Sequence, residues 1–340
     1  MGNSASYVPP EKQSIIYPTF EEEQGSLDGK SYAVTGCTTG TGLAAAKLFA
    51  KKGASRVFLL NRPSQRAEAA LAAVRAVATA GCVVTHVDCD LAEFNAVRRA
   101  AAQVAAETKD SGLDCLCNNA GVMALKDVAT GDGYDIQMQT NHLSHFLLTK
   151  ELYPVLVKAV ELRGEARIVN HSSFARNGPP GTKLTTENTY EYLGRNGGNL
   201  GGDGSSMICG GARWVRYAYT KLANVAFTLA LHDKLGDSGV KSLCAAPGLV
   251  ATQLQATTAR DGGMGSGTWF MRLSQSPEDG AVPLLHCCLS PEVQSGELWE
   301  PKGVTGPPVL KDTLEKVCLE ADREALWVAS EAAVGGKWGL

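Results

Sequence analysis

The stretch Thr35-Gly36-Cys37-Thr38-Thr39-Gly40-Thr41-Gly42 decides how the chain is read. It follows the apolar run Tyr32-Ala33-Val34 and leads into an alanine-rich helical pattern from Leu43 to Lys52. Strand, glycine turn and helix in that order make the local architecture that holds a dinucleotide. Glycine lets the backbone approach a pyrophosphate without a Cβ clash, and the helix start offers unpaired N–H groups at the positive end of its dipole. Gly36, Gly40 and Gly42 are spaced G-x-x-x-G-x-G, not G-x-G-x-x-G, and a glycine turn alone is also just a tight connection. Thr38 and Thr39, inside the loop, are placed to meet the same ligand.

Outward from the loop, apolar strand patterns alternate with helical ones. Arg56–Leu60, Cys82–Val87, Leu113–Cys117 and Ala166–Asn170 read as strands, separated by helical patterns over Ser64–Ala80, from Asp90-Leu91 to about Lys109, and over roughly Gly133–Leu162. Near-continuous apolar strands alternating with helices predict a parallel sheet covered on both faces. We expect a doubly wound α/β domain over 29–335, with an extended leader over 1–28 and helices from Ser276 and from Lys311 to Ala333.

Composition narrows the function. A net charge of −3 without a Lys/Arg block argues against nucleic acid as a partner. No apolar run approaches the roughly 18 residues of a membrane span, and residues 1–26 lack the basic start and apolar middle of a secretory signal. The 10 cysteines then read as reduced intracellular thiols, mostly buried small hydrophobes, and no pair has structural-zinc spacing. No metal is expected. The opening MGNSAS matches the myristoylation pattern with Gly2 as acceptor, an unmodified terminus being an equal alternative. One acyl chain without a basic second signal gives only reversible membrane contact, so the expected location is cytoplasmic or peripheral to a membrane.

Candidate site residues fall at carboxyl ends of strands, where open α/β sheets bind ligands. Asn61-Arg62 stands after the second strand, where NAD-binding folds place an acid; an arginine suits a 2′-phosphate and favours NADP(H). Asp90, followed by Leu91, could accept from an adenine amino group or simply cap a helix. Asn119-Ala120-Gly121 closes the fourth strand, either as ligand contact or as a conformational turn. Ser173 follows the fifth strand. Tyr217 and Lys221, four apart, share one helix face, and a neighbouring ammonium could draw a phenol towards a useful pKa. Tyr219 competes but points elsewhere.

Together these motifs resemble the short-chain dehydrogenase/reductase family over 29 to about 335: TGxxxGxG at Thr35–Gly42, NNAG at Asn118–Gly121, Ser173, and YxxxK at Tyr217/Lys221. The resemblance implies a Rossmann-type sheet of about seven parallel strands and NAD(P)(H)-dependent interconversion of alcohol and carbonyl. It implies Tyr217 as general acid/base, Ser173 orienting the substrate oxygen, and Lys221 binding the nicotinamide ribose while lowering the Tyr217 pKa. Asn141, in Thr140-Asn141-His142-Leu143, resembles the asparagine of a proton relay; His142 and His145 read as packing residues. Pro247-Gly248 with Thr252 resembles the turn beside the nicotinamide. NHLSHFLLT at 141–149, RIVNHSS at 167–173, KLAN at 221–224 and LWVASE at 326–331 resemble the retinol-dehydrogenase-like branch. Light-dependent protochlorophyllide reductase is a neighbouring branch, but it has a cysteine where this chain has Leu249.

The pattern departs from the family in an insertion over about 176–214, since Ser173 and Tyr217 lie 44 residues apart. Gly194–Gly211 reads as a lid or a flexible loop, not as core. Trp269, Phe270 and Met271 suggest an apolar aldehyde, ketone or alcohol, or merely anchor a flap. The rival reading is a non-catalytic dinucleotide-binding subunit of a larger assembly; a third places retinoid or lipid chemistry at membranes. Family members often pair through the helices carrying Asn141 and Tyr217, so a homodimer is compatible with the resemblance.

Overall fold

The computed structural model describes residues 11–178, 182–205, 210–264, 269–311 and 318–340. Gly2 and its acylation motif lie outside the described residues, as do parts of the insertion and of the Gly262–Met271 segment. The strands are β1 (Ser31–Thr35), β2 (Arg56–Asn61), β3 (Val83–Asp88), β4 (Cys115–Asn118), β5 (Ala166–His171), β6 (Val240–Ala245), β7 (Leu298–Pro301) and β8 (Pro308–Leu310). Their spatial order is β3-β2-β1-β4-β5-β6-β7-β8. The first seven run parallel, as the sequence predicts, and β8 adds an antiparallel edge. The turn between β7 and β8 carries Gly303 and Gly306, and Pro308 stands on the open edge, where a missing N–H costs no ladder bond.

The helices are α1 (Tyr17–Glu23), α2 (Gly40–Lys51), α3 (Gln65–Arg75), α4 (Phe94–Thr108), the single turn α5 (Ile136–Met138), α6 (Ser144–Arg163), α7 (Thr186–Tyr192), α8 (Ala212–Leu235), α9 (Gln253–Arg260), α10 (Pro277–Leu289) and α11 (Glu320–Val334). Side chains alternate across each strand, so Tyr32 and Val34 pack with α2 and α10 while Ala33 faces α4, α6 and α8. The long helix expected over Gly133–Leu162 starts only after Asp135, which caps it by accepting from Gln137 and Met138 N–H. It then passes through a π turn at Gln139–Leu143 before α6.

Two expectations need correction. The leader is not extended throughout: α1 forms because the distant carboxylate of Asp279 accepts from the N–H groups of Ile15, Ile16 and Tyr17, 2.8–3.1 Å away. Those are donors a helix start leaves unpaired, and Tyr17 and Phe20 then pack on the α2/α10 layer. Nor does Gly194–Gly211 lie wholly outside the interior, since its Leu200 is buried. Ahead of it, Leu184 and Leu193 of the insertion join the main apolar cluster, around a helix (α7) that Thr185 and Asn188 start with a capping box.

Candidate functional site

The switch in strand order between β1 and β4 opens a crevice, and the glycine loop lines it. Gly36 has φ +67°, and a Cβ there would lie 2.7 Å from Ala120 Cα. Glycine is therefore required by conformation and by the close approach of the Asn119–Gly121 turn. Asn119 Nδ2 donates to the carbonyls of Thr35 (2.8 Å) and Gly36 (3.2 Å), and its Oδ1 accepts from Thr41 Oγ1 (2.9 Å). Asn61 is buried, its Oδ1 accepting from Cys37 N–H at 2.8 Å, so it shapes the loop from beneath. Arg62 is exposed, and its guanidinium has no partner among the described residues. Thr39 is the N-cap of α2 without a side-chain cap bond, and the first turn holds no acid. Thr38 is half-buried beside it.

Asp90 takes the turn-forming role: Oδ1 accepts from Ala92 N–H at 2.9 Å, and Leu91 is fixed to α6 by Ser144 Oγ on its carbonyl (2.7 Å). On the opposite rim, Gly248 (φ +71°) sits under the Val304 carbonyl and Pro247 O accepts from Gln275 Nε2 (2.7 Å). Thr252 caps α9, and its methyl carbon would lie 3.3 Å from a Cβ on Gly40, so this turn closes over the glycine loop.

Ser173, Tyr217, Lys221 and Asn141 converge from three elements. The Ser173 side chain favours the ionised form of the Tyr217 phenol, but burial outweighs it and pushes the Tyr217 pKa up to about 12. Lys221 Nζ donates to the His171 carbonyl (2.9 Å) and stands 5.8 Å from the centre of the Tyr217 ring. Burial lowers the Lys221 pKa to about 8. A Cβ on Gly121 would be 3.3 Å from both Asn141 Oδ1 and Lys221 Nζ, which brings the β4 turn into the same cluster. The Asn141 side chain is spent on Val122 N–H and C=O (2.8 and 2.9 Å) and on Thr220 Oγ1 (2.9 Å).

His145 does more than pack. Burial holds it neutral, with its pKa lowered to about 4. Its Nδ1 donates to the Asn141 carbonyl (3.0 Å) and its Nε2 meets Thr35 Oγ1 (2.9 Å). Thr35 Oγ1 in turn accepts from the N–H groups of Asn119 and Ala120, both at 3.0 Å. One polar line thus joins the π turn to the glycine loop. Tyr219 points into the insertion, stacked on Tyr192 at 4.1 Å and bonded to Asn188.

Beside Tyr217, Met123, Ala124 and Trp214 form an apolar wall with Ala175, Leu254 and Met264. Trp214 meets the Tyr217 ring edge-on at 6.0 Å. Behind this wall lie arginines that the sequence reading missed. Arg213 binds the carboxylate (2.8 Å) and carbonyl (2.9 Å) of Asp261. Arg216, 1% exposed, donates to the carbonyls of Leu200 and Gly202 (both 2.8 Å) and lies 3.4 Å from Asp135 and 3.7 Å from Asp127. Asp127 accepts from Gly198, Leu200 and Gly202 N–H. Arg176 holds the Ser173 carbonyl (3.1 Å) and pairs with buried Glu300 (2.7 Å). The signal available in sequence was two arginines in the otherwise apolar approach to Tyr217.

A parallel sheet with a glycine cradle, a serine and a Tyr/Lys pair at its carboxyl edge defines an oxidoreductase of the dinucleotide-binding kind. The family model described as short chain dehydrogenase matches residues 30–183. The chain is 34% identical over 272 residues to retinol dehydrogenase 11 of Mus musculus, covering 79% of this chain and 76% of that one. It is 32% identical to retinol dehydrogenase 12 of Homo sapiens, over 78% and 74% of the two chains. The chain belongs to the short-chain dehydrogenase/reductase family, and within it is retinol-dehydrogenase-like. Among solved structures, an uncharacterized protein from Mycobacterium Paratuberculosis superposes with TM-score 0.68 at 26% identity, covering 97% and 100% of the two chains. A Shigella flexneri short chain dehydrogenase complexed with NADP shares the fold, with TM-score 0.59 at 20% identity over 82% and 99%. No helix among the described residues is long and apolar enough to cross a membrane.

Proposed function

We propose that the protein is an NADP(H)-dependent reductase of apolar aldehydes or ketones, with Tyr217 as the general acid. The observation that carries this is the meeting of Ser173, Tyr217 and Lys221 beside an apolar wall and a glycine cradle. The cradle suits the cofactor: the α2 start is uncapped by side chains, Gly36 leaves the backbone bare, and the unpartnered Arg62 guanidinium offers a 2′-phosphate paired donors. Bound NADPH would supply the hydride. Lys221 would hold the ribose after leaving the His171 carbonyl, and Thr38, Thr39, Asn119 and Thr252 line the remaining rim.

The chain's own part is proton transfer and orientation. Ser173 Oγ donates to the substrate carbonyl oxygen and fixes it beside the phenol. Tyr217, neutral at physiological pH, gives its proton to that oxygen as negative charge develops. The protonated phenol suits the reductive step, and the oxidative step would need it deprotonated. Asn141, whose main-chain carbonyl accepts from His145 Nδ1 and keeps a second lone pair, would hold the water that carries the replacement proton in from solvent. Met123, Trp214, Leu254 and Met264 exclude water and select apolar substrates.

The test is a fluorescence titration with NADPH and NADH, followed by turnover of a panel of apolar aldehydes and ketones. Tighter NADPH binding, with turnover lowered at least 1000-fold in Tyr217→Phe (roughly 4 kcal/mol) and binding retained, is expected. Tight binding with turnover that survives Tyr217→Phe overturns the assignment.

A further inference from the structure

In the layer between the sheet and helices α2 and α10, three thiols converge. Cys115 and Cys117 are two apart on β4 and so point to the same layer, where Cys288 of α10 meets them. The Sγ atoms of Cys115 and Cys117 are 3.8 Å apart, those of Cys117 and Cys288 3.4 Å, and all three lie within 4.8 Å of one another. Three sulfurs around one ion at metal–sulfur bonds of about 2.3 Å would stand roughly 3.8 to 4.0 Å apart. The observed separations of 3.4 and 3.8 Å, with no pair beyond 4.8 Å, lie close to that figure.

The cluster is not sealed. A cavity of about 210 Å³ reaches it, lined by Lys30, Tyr32, Cys115, Arg163, Arg167 and Cys288 among others. That is ample for a hydrated ion to enter, since one water occupies about 30 Å³. Arg167 is the register partner of Cys115 across β4 and β5, and its guanidinium, paired with Glu165 at 2.6 Å, favours the Cys115 thiolate. No histidine or carboxylate belongs to the cluster among the described residues. Structural zinc takes four ligands, whereas an all-sulfur set of three, buried and flanked by a cation, suits a soft ion of low charge and low coordination number.

We propose that Cys115, Cys117 and Cys288 form a three-thiolate site for monovalent copper, entered through this cavity. On binding, three S–H bonds release their protons and three copper–sulfur bonds form. Copper remains monovalent and no electron is transferred. Arg167 offsets part of the net negative charge of the filled site.

The test is anaerobic titration of the reduced full-length protein with Cu(I) against a chromophoric Cu(I) chelator, with Zn²⁺ alone in a parallel series. One Cu(I) per chain is expected, with X-ray absorption of the filled protein showing three sulfur neighbours and no light-atom neighbour. Cys115→Ala and Cys288→Ala should each weaken binding at least 100-fold, while Cys82→Ser, on a residue outside the cluster, should not. Melting curves and NADPH titration establish that each variant is folded, and the absorption measurement on unaltered protein stands without them. Failure to bind one Cu(I), fewer than three sulfur neighbours, binding unchanged in the two alanine variants, or tighter binding of Zn²⁺ than of Cu(I) would each overturn the proposal. None of these readouts depends on turnover, so this site and the proposed reductase stand or fall separately.

Discussion

Around the glycine loop the protein is fastened by neutral groups: Asn61 on Cys37 N–H, Asn119 on two carbonyls, His145 on Thr35. Around the insertion it is fastened by charge: Arg216 with Asp127 and Asp135, Arg213 with Asp261, and Arg176 with Glu300. The two banks of one crevice thus use opposite materials. A cradle for phosphates must keep its positive ends unspent, so a fixed carboxylate there would compete with the ligand. The insertion faces the other problem. It is rich in glycine and has few apolar side chains to bury, so carbonyls and N–H groups must be tied down from beneath. A buried arginine can satisfy several carbonyls at once.

The largest expected effect breaks the charged bank. Arg216→Met leaves Asp127 and Asp135 without their buried cation and frees the Leu200 and Gly202 carbonyls. Removing one partner of a buried pair costs about 3–5 kcal/mol, which chemical unfolding would read directly. Adding Asp135→Asn should recover part of the loss, because burial already raises the Asp135 pKa to about 6. If Arg216→Met costs less than Asn61→Ala, the contrast between the two banks is wrong.

On the neutral bank, the exposed Arg62 guanidinium has no partner among the described residues. Arg62→Ala should weaken NADPH binding by roughly 10- to 100-fold, as expected for loss of about 1.5–3 kcal/mol of charge-assisted hydrogen bonding. NADH affinity and the melting temperature should hardly move, since Arg62 is exposed and unpartnered. Equal losses for both nucleotides would remove the 2′-phosphate from the account. A smaller effect is expected for Asn61→Ala, about 1–2 kcal/mol of stability from an unsatisfied Cys37 N–H, with weaker binding of both nucleotides alike.

These predictions also mark what the sequence could reveal. The loop, the Asn-Asn-Ala-Gly turn and the Tyr217/Lys221 pair are legible because local spacing fixes them: strand end, turn, or one helix face. Asp279 capping α1, Arg176 meeting Glu300 and Cys117 meeting Cys288 are not, because each partner lies more than 100 residues away. Residue type shows that an arginine must be paired if buried, but only the fold shows that it is buried. Gly194–Gly211 illustrates this. Its composition reads as a loose loop, yet Asp127 and Arg216, from elsewhere in the chain, hold the N–H groups of Gly198, Leu200 and Gly202 and the carbonyls of the last two.

The smallest expected effect compares two consequences of one proton. Burial depresses the Lys221 pKa to about 8, while Tyr217 stays protonated near 12 and neighbouring His145 and His171 stay neutral, at about 4 and about 3. Between about pH 7 and 9, Lys221 is therefore the group in this cluster that changes charge. A depressed pKa contributes stability above its unfolded value, near 10.4, and that contribution is lost as pH falls through 8. The nucleotide-free protein should thus lose stability from this group on going from pH 9 to 7. NADPH binding should move the other way, because the ammonium that would hold the ribose is present below 8 and lost above it. We expect affinity to fall severalfold by about pH 9, no more than the tenfold that about 1.4 kcal/mol represents. Lys221→Met should flatten both trends together. If it flattens the stability trend alone, Lys221 is a buried structural amine, and the ribose contact must be sought elsewhere on the rim.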